Sequence, residues 1–288
     1  MINHLYINGC SHASGWGKGH ELALTKEKGM QSWVDHFAEK SAVSELWNHS
    51  LIGKPIGMST IDTYGFCEEY YQKYKTFKDL FVCVEYTIPT YKLFEPVVIT
   101  TGQFKGEYVI PVSYMSGSDA TNMPDGKFLT MWVRKNREYL TPQEPSYMFV
   151  EKNNISEQDI ISHDKNLFEW IKDRDNNIMP FLTYAYLEID KTQRYLEERN
   201  IRYLMTWVGG TKLDFTSLVD QKYKKLYKNK RFIPMTTYTG TKASNEWSEK
   251  PFHNHPDAIG HKRIADYIFD WVVNHNLHKS SDIIQLGN

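Results

Sequence analysis

At 288 residues, with 34 basic against 35 acidic side chains, the chain is long enough for one large α/β domain carrying insertions. Its near-zero net charge excludes a whole-molecule pull toward nucleic acid or an anionic membrane surface. Three widely spaced cysteines, Cys10, Cys67 and Cys83, make neither a disulfide framework nor a paired zinc motif. No stretch reaches the apolar length of a secretory core or a spanning helix. The expectation is a soluble, unprocessed chain of a reducing compartment, read as cytoplasmic.

The first element, His4 to Asn8, is a short apolar run that stops at Gly9 and reads as a buried strand entering a tight turn. Ser11 to Gly29 is glycine-rich loop, followed by an amphipathic helix from Gln31 to Ala42 and a strand from Glu45 to Ser50. After the Gly53, Pro55 and Gly57 punctuation a helix is predicted from about Ser59 to Tyr74. Asp79 to Ile88 is the most strand-like segment, near-continuously apolar as a doubly covered parallel strand requires.

From Phe94 to Tyr114 two β-rich runs, PVVITTGQ and GEYVIPVSY, suggest a hairpin inserted into the α/β frame. Phe128 to Tyr139 reads as helical, and Thr141 to Ser156 as broken surface chain. A helical region interrupted at Pro180 runs to Arg199 and leads into IRYLMTWV, a core strand. The last helix, Ala258 to Asn274, carries Ile264, Ala265, Ile268, Trp271 and Val272 on one face. Helix alternating with strand predicts a three-layer α/β/α sandwich with a parallel sheet of about five strands. The whole chain, 1–288, is read as one domain with an insertion at about 94–156.

Ser11 stands in NGCSH, directly after the first strand, at the carboxyl edge where open parallel sheets place their ligand sites. A serine hydroxyl needs a positioned base to become a nucleophile, and the dense histidine region is His253, His255 and His261. HxH spacing also admits a metal reading, although His261 at a helix start more simply caps or packs. His12 and His20 read first as solvated loop histidines, within reach of the same pocket. Cys10 reads as buried against the strand. The basic run QKYKKLYKNKR, 221–231, reads as a solvated helix face.

The N-terminal YINGCSHASGWG resembles the first block of the SGNH/GDSL hydrolases, in the GxSH form of small tailed-phage members. HNHPDAIGHKRIADYI resembles their last block, HPxxxGHxxxAxxI, in matching order and separation. The resemblance implies a flavodoxin-like fold, a serine esterase acting on a small acyl ester such as O-acetyl groups on carbohydrate, and no cofactor or metal. It assigns Ser11 as nucleophile, His255 as base, and the Ser11 backbone N–H to the oxyanion hole. Gly57 in GMST, or Gly53, takes the second-block glycine position and donates another N–H. Thr87, in VEYTIP, stands where the third block carries asparagine.

No carboxylate lies two or three residues before His255, where Phe252 and His253 stand. Support for its imidazole falls to a backbone carbonyl, to Asp257 or Asp214, or to His253 or His12 nearby. The resemblance admits a host-cytoplasm or virion location. An acyltransferase with the same Ser/His site, a non-catalytic binding or virion module, and a metal-dependent hydrolase are the competing readings. Oligomeric state is not legible.

Overall fold

The computed structural model describes residues 2–10, 13, 31–50, 54, 56–86, 97–98, 108–111, 130–132, 149–150, 178–207, 229–233, 247–249 and 256–279. Four parallel strands build the central sheet: β1 (His4–Asn8), β2 (Glu45–Asn48), β3 (Leu80–Tyr86) and β8 (Arg202–Trp207), in the order β2-β1-β3-β8. The alternation of each strand feeds two cores. Leu5, Ile7, Phe81, Cys83 and Leu204 enter one, and Tyr6, Val82, Val84, Tyr86, Tyr203 and Met205 the other. This double covering is why β1 and β3 read as near-continuous apolar runs.

Beside β8, the Met205 N–H donates to the Arg231 carbonyl at 2.8 Å, and the Ile233 N–H donates to the Met205 carbonyl at 2.9 Å. Phe232 therefore occupies the fifth place of the sheet as a single parallel bridge. Among the described residues the parallel sheet, expected to have about five strands, has four and one bridge.

Helices α1 (Trp33–Lys40) and α4 (Ala258–Asn274) pack together over the first core; α2 (Ile56–Tyr74) and α3 (Ile178–Glu198) pack together over the second. The result is a three-layer α/β/α sandwich with the flavodoxin-like strand order. Helix α1 is started by a capping box: the Asp35 N–H donates to Ser32 Oγ at 3.3 Å and the Ser32 N–H donates to the Asp35 carboxylate at 2.8 Å. It ends at Ser41, beyond which Ala42 turns the chain with φ of 52°. Its buried face, Trp33, Val34, Phe37 and Ala38, includes large side chains worth about 1.5–3 kcal/mol each when removed from water.

Several expectations need correction. Helix α2 begins at Ile56, three residues before the expected Ser59, so Gly57 belongs to its first turn. Pro180 sits in the first turn of α3, where its missing N–H costs no intrahelical bond; the part of the expected helical region before Ile178 lies outside the described residues. The segment expected to be helical at 128–139 contains a strand, β6 (Thr130–Trp132). With β4 (Val97–Val98), β5 (Tyr108–Pro111) and β7 (Phe149–Val150) it forms a four-stranded antiparallel sheet ordered β4-β5-β6-β7, where one hairpin was expected. Short runs with threonine, tryptophan and valine satisfy both periods, and strand pairing decides between them. Helix α4 has the expected bounds. Among the described residues no helix is long and apolar enough to cross a membrane.

Candidate active site

Strand order places a topological switch point between β1 and β3, with β2 outside one and β8 outside the other. Asn8, Gly9 and Cys10 emerge from β1 at this point, and Glu85 stands near the end of β3 beside them. A Cβ on Gly9 would lie 2.7 Å from Ala13 Cβ, 3.1 Å from Glu85 Cβ and 3.1 Å from Ser50 Oγ. Glycine is required here because the chain folds back on itself, bringing Ala13 against residue 9.

Glu85 is 1% exposed. Its Oε1 accepts from the Cys10 N–H at 3.3 Å, the Ala13 N–H at 3.2 Å and the Cys10 thiol at 3.1 Å. From the other side, Asn48 Nδ2 donates to the Ala13 carbonyl at 3.1 Å, and Asn48 Oδ1 accepts from the Ser50 N–H at 3.0 Å. The turn after β1 is thus tied to the ends of both neighbouring strands. The buried position expected for Cys10 is found.

A second polar network fixes the start of α2 to the same edge. Lys54, with a fully buried side chain, pairs with Asp62 Oδ2 at 2.5 Å, donates to the His49 carbonyl at 2.9 Å and donates to Asn8 Oδ1. Three hydrogens meet three oxygens. Asn8 Nδ2 in turn donates to the Ser59 carbonyl at 2.7 Å and to Thr63 Oγ1 at 2.9 Å. Gly57 lies in this anchored first turn, whose leading N–H groups have no intrahelical acceptor and carry the positive end of the helix dipole.

At the far end of the chain, Asp257 is the N-cap of α4. Its Oδ1 accepts from the Gly260 N–H at 2.8 Å and its Oδ2 from the Glu249 N–H at 2.8 Å, while its own N–H donates to Ser248 Oγ at 3.1 Å. His261 is buried, and its Nδ1 accepts from the Trp33 N–H at 3.2 Å. It therefore satisfies one of the open N–H groups at the start of α1 and joins that helix to α4, with the ring proton on Nε2. Among the described residues no three metal-ligating side chains cluster. Burial pushes the Cys67 and Cys83 thiols above their ordinary range, with Glu68 and Glu85 respectively adding to it.

Of the residues singled out in the sequence, Gly57, Asp257, Cys10 and His261 are positioned as above. Ser11, His12, His20, Gly53, Thr87, Asp214, His253 and His255 lie outside the described residues. Sequence reasoning missed Asn8, Lys54, Asp62 and Glu85. One signal was available: asparagine in LYIN and glutamate in LFVCVEY are polar groups in doubly covered strands, where burial is costly unless every lone pair is met.

No family model and no curated protein matches the chain. Among solved structures it is similar to an acetyl xylan esterase from the rumen bacterium Butyrivibrio proteoclasticus, with a TM-score of 0.41 and 11% identity. The similarity covers 96% of this chain and 65% of that enzyme, so the chain spans just under two thirds of the neighbour's length.

Proposed function

We propose that this chain is a serine ester hydrolase whose nucleophile is Ser11 and whose base is His255. The observation that supports the reading is the construction of the turn after β1. Cys10 and Ala13, the described residues on either side of Ser11 and His12, are both held by Glu85 at the β1–β3 switch point. Rigid backbone at that crevice is what acyl transfer needs, because a nucleophile must be held in line with its carbonyl before reaction. The second support is α4, which opens at Asp257 directly after the HNHP segment and is tied to the sheet by its buried face.

In the proposed reaction Ser11 Oγ attacks the ester carbonyl while His255 takes the hydroxyl proton. The oxyanion is met by the N–H groups of Ser11 and Gly57 and by the Thr87 hydroxyl. Collapse expels the alcohol, which receives the proton from His255, and leaves an acyl-serine. Water, deprotonated by His255, then releases the acid and restores the serine. Asp257, Asp214, His253 and His12 are the candidates to orient His255. The substrate class is a small acyl ester, with O-acetylated carbohydrate as the leading member, and residues 94–156 are an insertion into a single domain that shapes its mouth. The reaction needs no cofactor.

The test is hydrolysis of p-nitrophenyl acetate and of acetylated xylan by wild type, Ser11→Ala and His255→Ala. Either substitution is expected to lower kcat roughly a millionfold, and a fluorophosphonate probe to label Ser11 alone. Wild-type turnover by S11A overturns the proposal.

A further inference from the structure

We infer that Glu85 is a positioning residue for the nucleophile, holding the backbone on both sides of Ser11 so that its N–H and hydroxyl keep one direction. The inference rests on the serine-esterase reading. It starts from an anomaly: a carboxylate in β3, 1% exposed, sits in a strand whose other six residues are leucine, phenylalanine, valine, cysteine, valine and tyrosine. Burying such a group costs several kcal/mol unless donors compensate it, and an aliphatic residue there would carry no such cost.

Among the described residues the compensating donors come from one short piece of chain. The Cys10 N–H, the Cys10 thiol and the Ala13 N–H all donate to the same oxygen, Oε1. Two N–H groups three residues apart thus converge on one atom, as donors do around an anion in a backbone nest. Asn48 holds the same turn from the β2 side through the Ala13 carbonyl. Gly9 admits the close approach of Ala13 and Glu85. Glu85 therefore acts as a buried acceptor that ties Cys10 and Ala13, on either side of Ser11 and His12, to β3, without touching substrate.

The experiment compares wild type, Glu85→Gln and Glu85→Ala by their rate of fluorophosphonate labelling, by kcat and KM for p-nitrophenyl acetate, and by amide exchange of Cys10 and Ala13. Loss of the anchor in E85A is expected to slow labelling and kcat about a hundredfold, as for a displacement near 1 Å. KM should change little, and the two amides should exchange faster. E85Q, which keeps an acceptor oxygen at the same reach, should recover most of the rate. If E85A does not fold by circular dichroism, Glu85→Asp replaces it: the shortened side chain should lose the rate that glutamine keeps. Labelling of wild type and the truncated variant at equal rates overturns the positioning role and leaves the esterase standing. A wild type that neither labels nor turns over ester overturns both.

Discussion

Replacing Lys54 with methionine tests whether the buried network beneath Gly57 holds the site together. Lys54 Nζ serves Asp62 at 2.5 Å, the His49 carbonyl at 2.9 Å and Asn8 Oδ1, with side-chain exposures of 0% for Lys54 and 2% for Asp62. Methionine fills much of the volume but leaves the Asp62 carboxylate without its cation. Stranding one member of a buried pair costs about 3–5 kcal/mol, a large part of the roughly 5–15 kcal/mol that holds a domain folded. At about 2–4 °C per kcal/mol for a chain approaching this size, the melting temperature should fall by roughly 6–20 °C. Thermal and urea unfolding of wild type, Lys54→Met, Asp62→Leu and the double variant measure this. Removing both charges should restore more than half of the single-variant loss, because an apolar pair no longer has an uncompensated ion. A K54M chain melting at the wild-type temperature, or a double variant no better than the single, refutes the reasoning.

Gly9→Ala places a methyl 2.7 Å from Ala13 Cβ and 3.1 Å from Glu85 Cβ, atoms fixed to backbone rather than flexible side-chain ends. The cost should be about 1–3 kcal/mol, read as a lower urea midpoint. Ala13→Gly in the same chain should recover part of it by removing the nearest clash; no recovery would show that the crowding lies elsewhere. Burial raises the thiol pKa of Cys67 and Cys83 and the phenol pKa of Tyr70, Tyr86, Tyr195 and Tyr203. The folded chain then retains protons that the unfolded chain loses, so the stability these groups contribute is complete at neutral pH and is lost as pH rises past about 9 to 10. Urea midpoints should fall across pH 9 to 11, and mass spectrometry should find Cys67 and Cys83 unmodified by iodoacetamide until denaturant is added. A midpoint that rises over that range contradicts the assignment.

Local pattern carried much of the frame. β1, β3, β8 and α4 are legible because a doubly covered strand must be apolar on both faces and an amphipathic helix must repeat its stripe. Pattern failed at Thr130–Trp132, where a three-residue run satisfies helix and strand alike and pairing with β5 makes the choice. The proposed nucleophile and base also came from linear motifs, in NGCSH and HNHP. Glu85 beneath the Cys10–Ala13 turn, Lys54 between Asn8 and Asp62, and His261 at the start of α1 did not come from any motif. Their partners are separated by 8 to 228 residues, apart from the short Lys54–His49 link. Alternation tells a residue which face it occupies; the strand order β2-β1-β3-β8 decides which distant polar group it meets there.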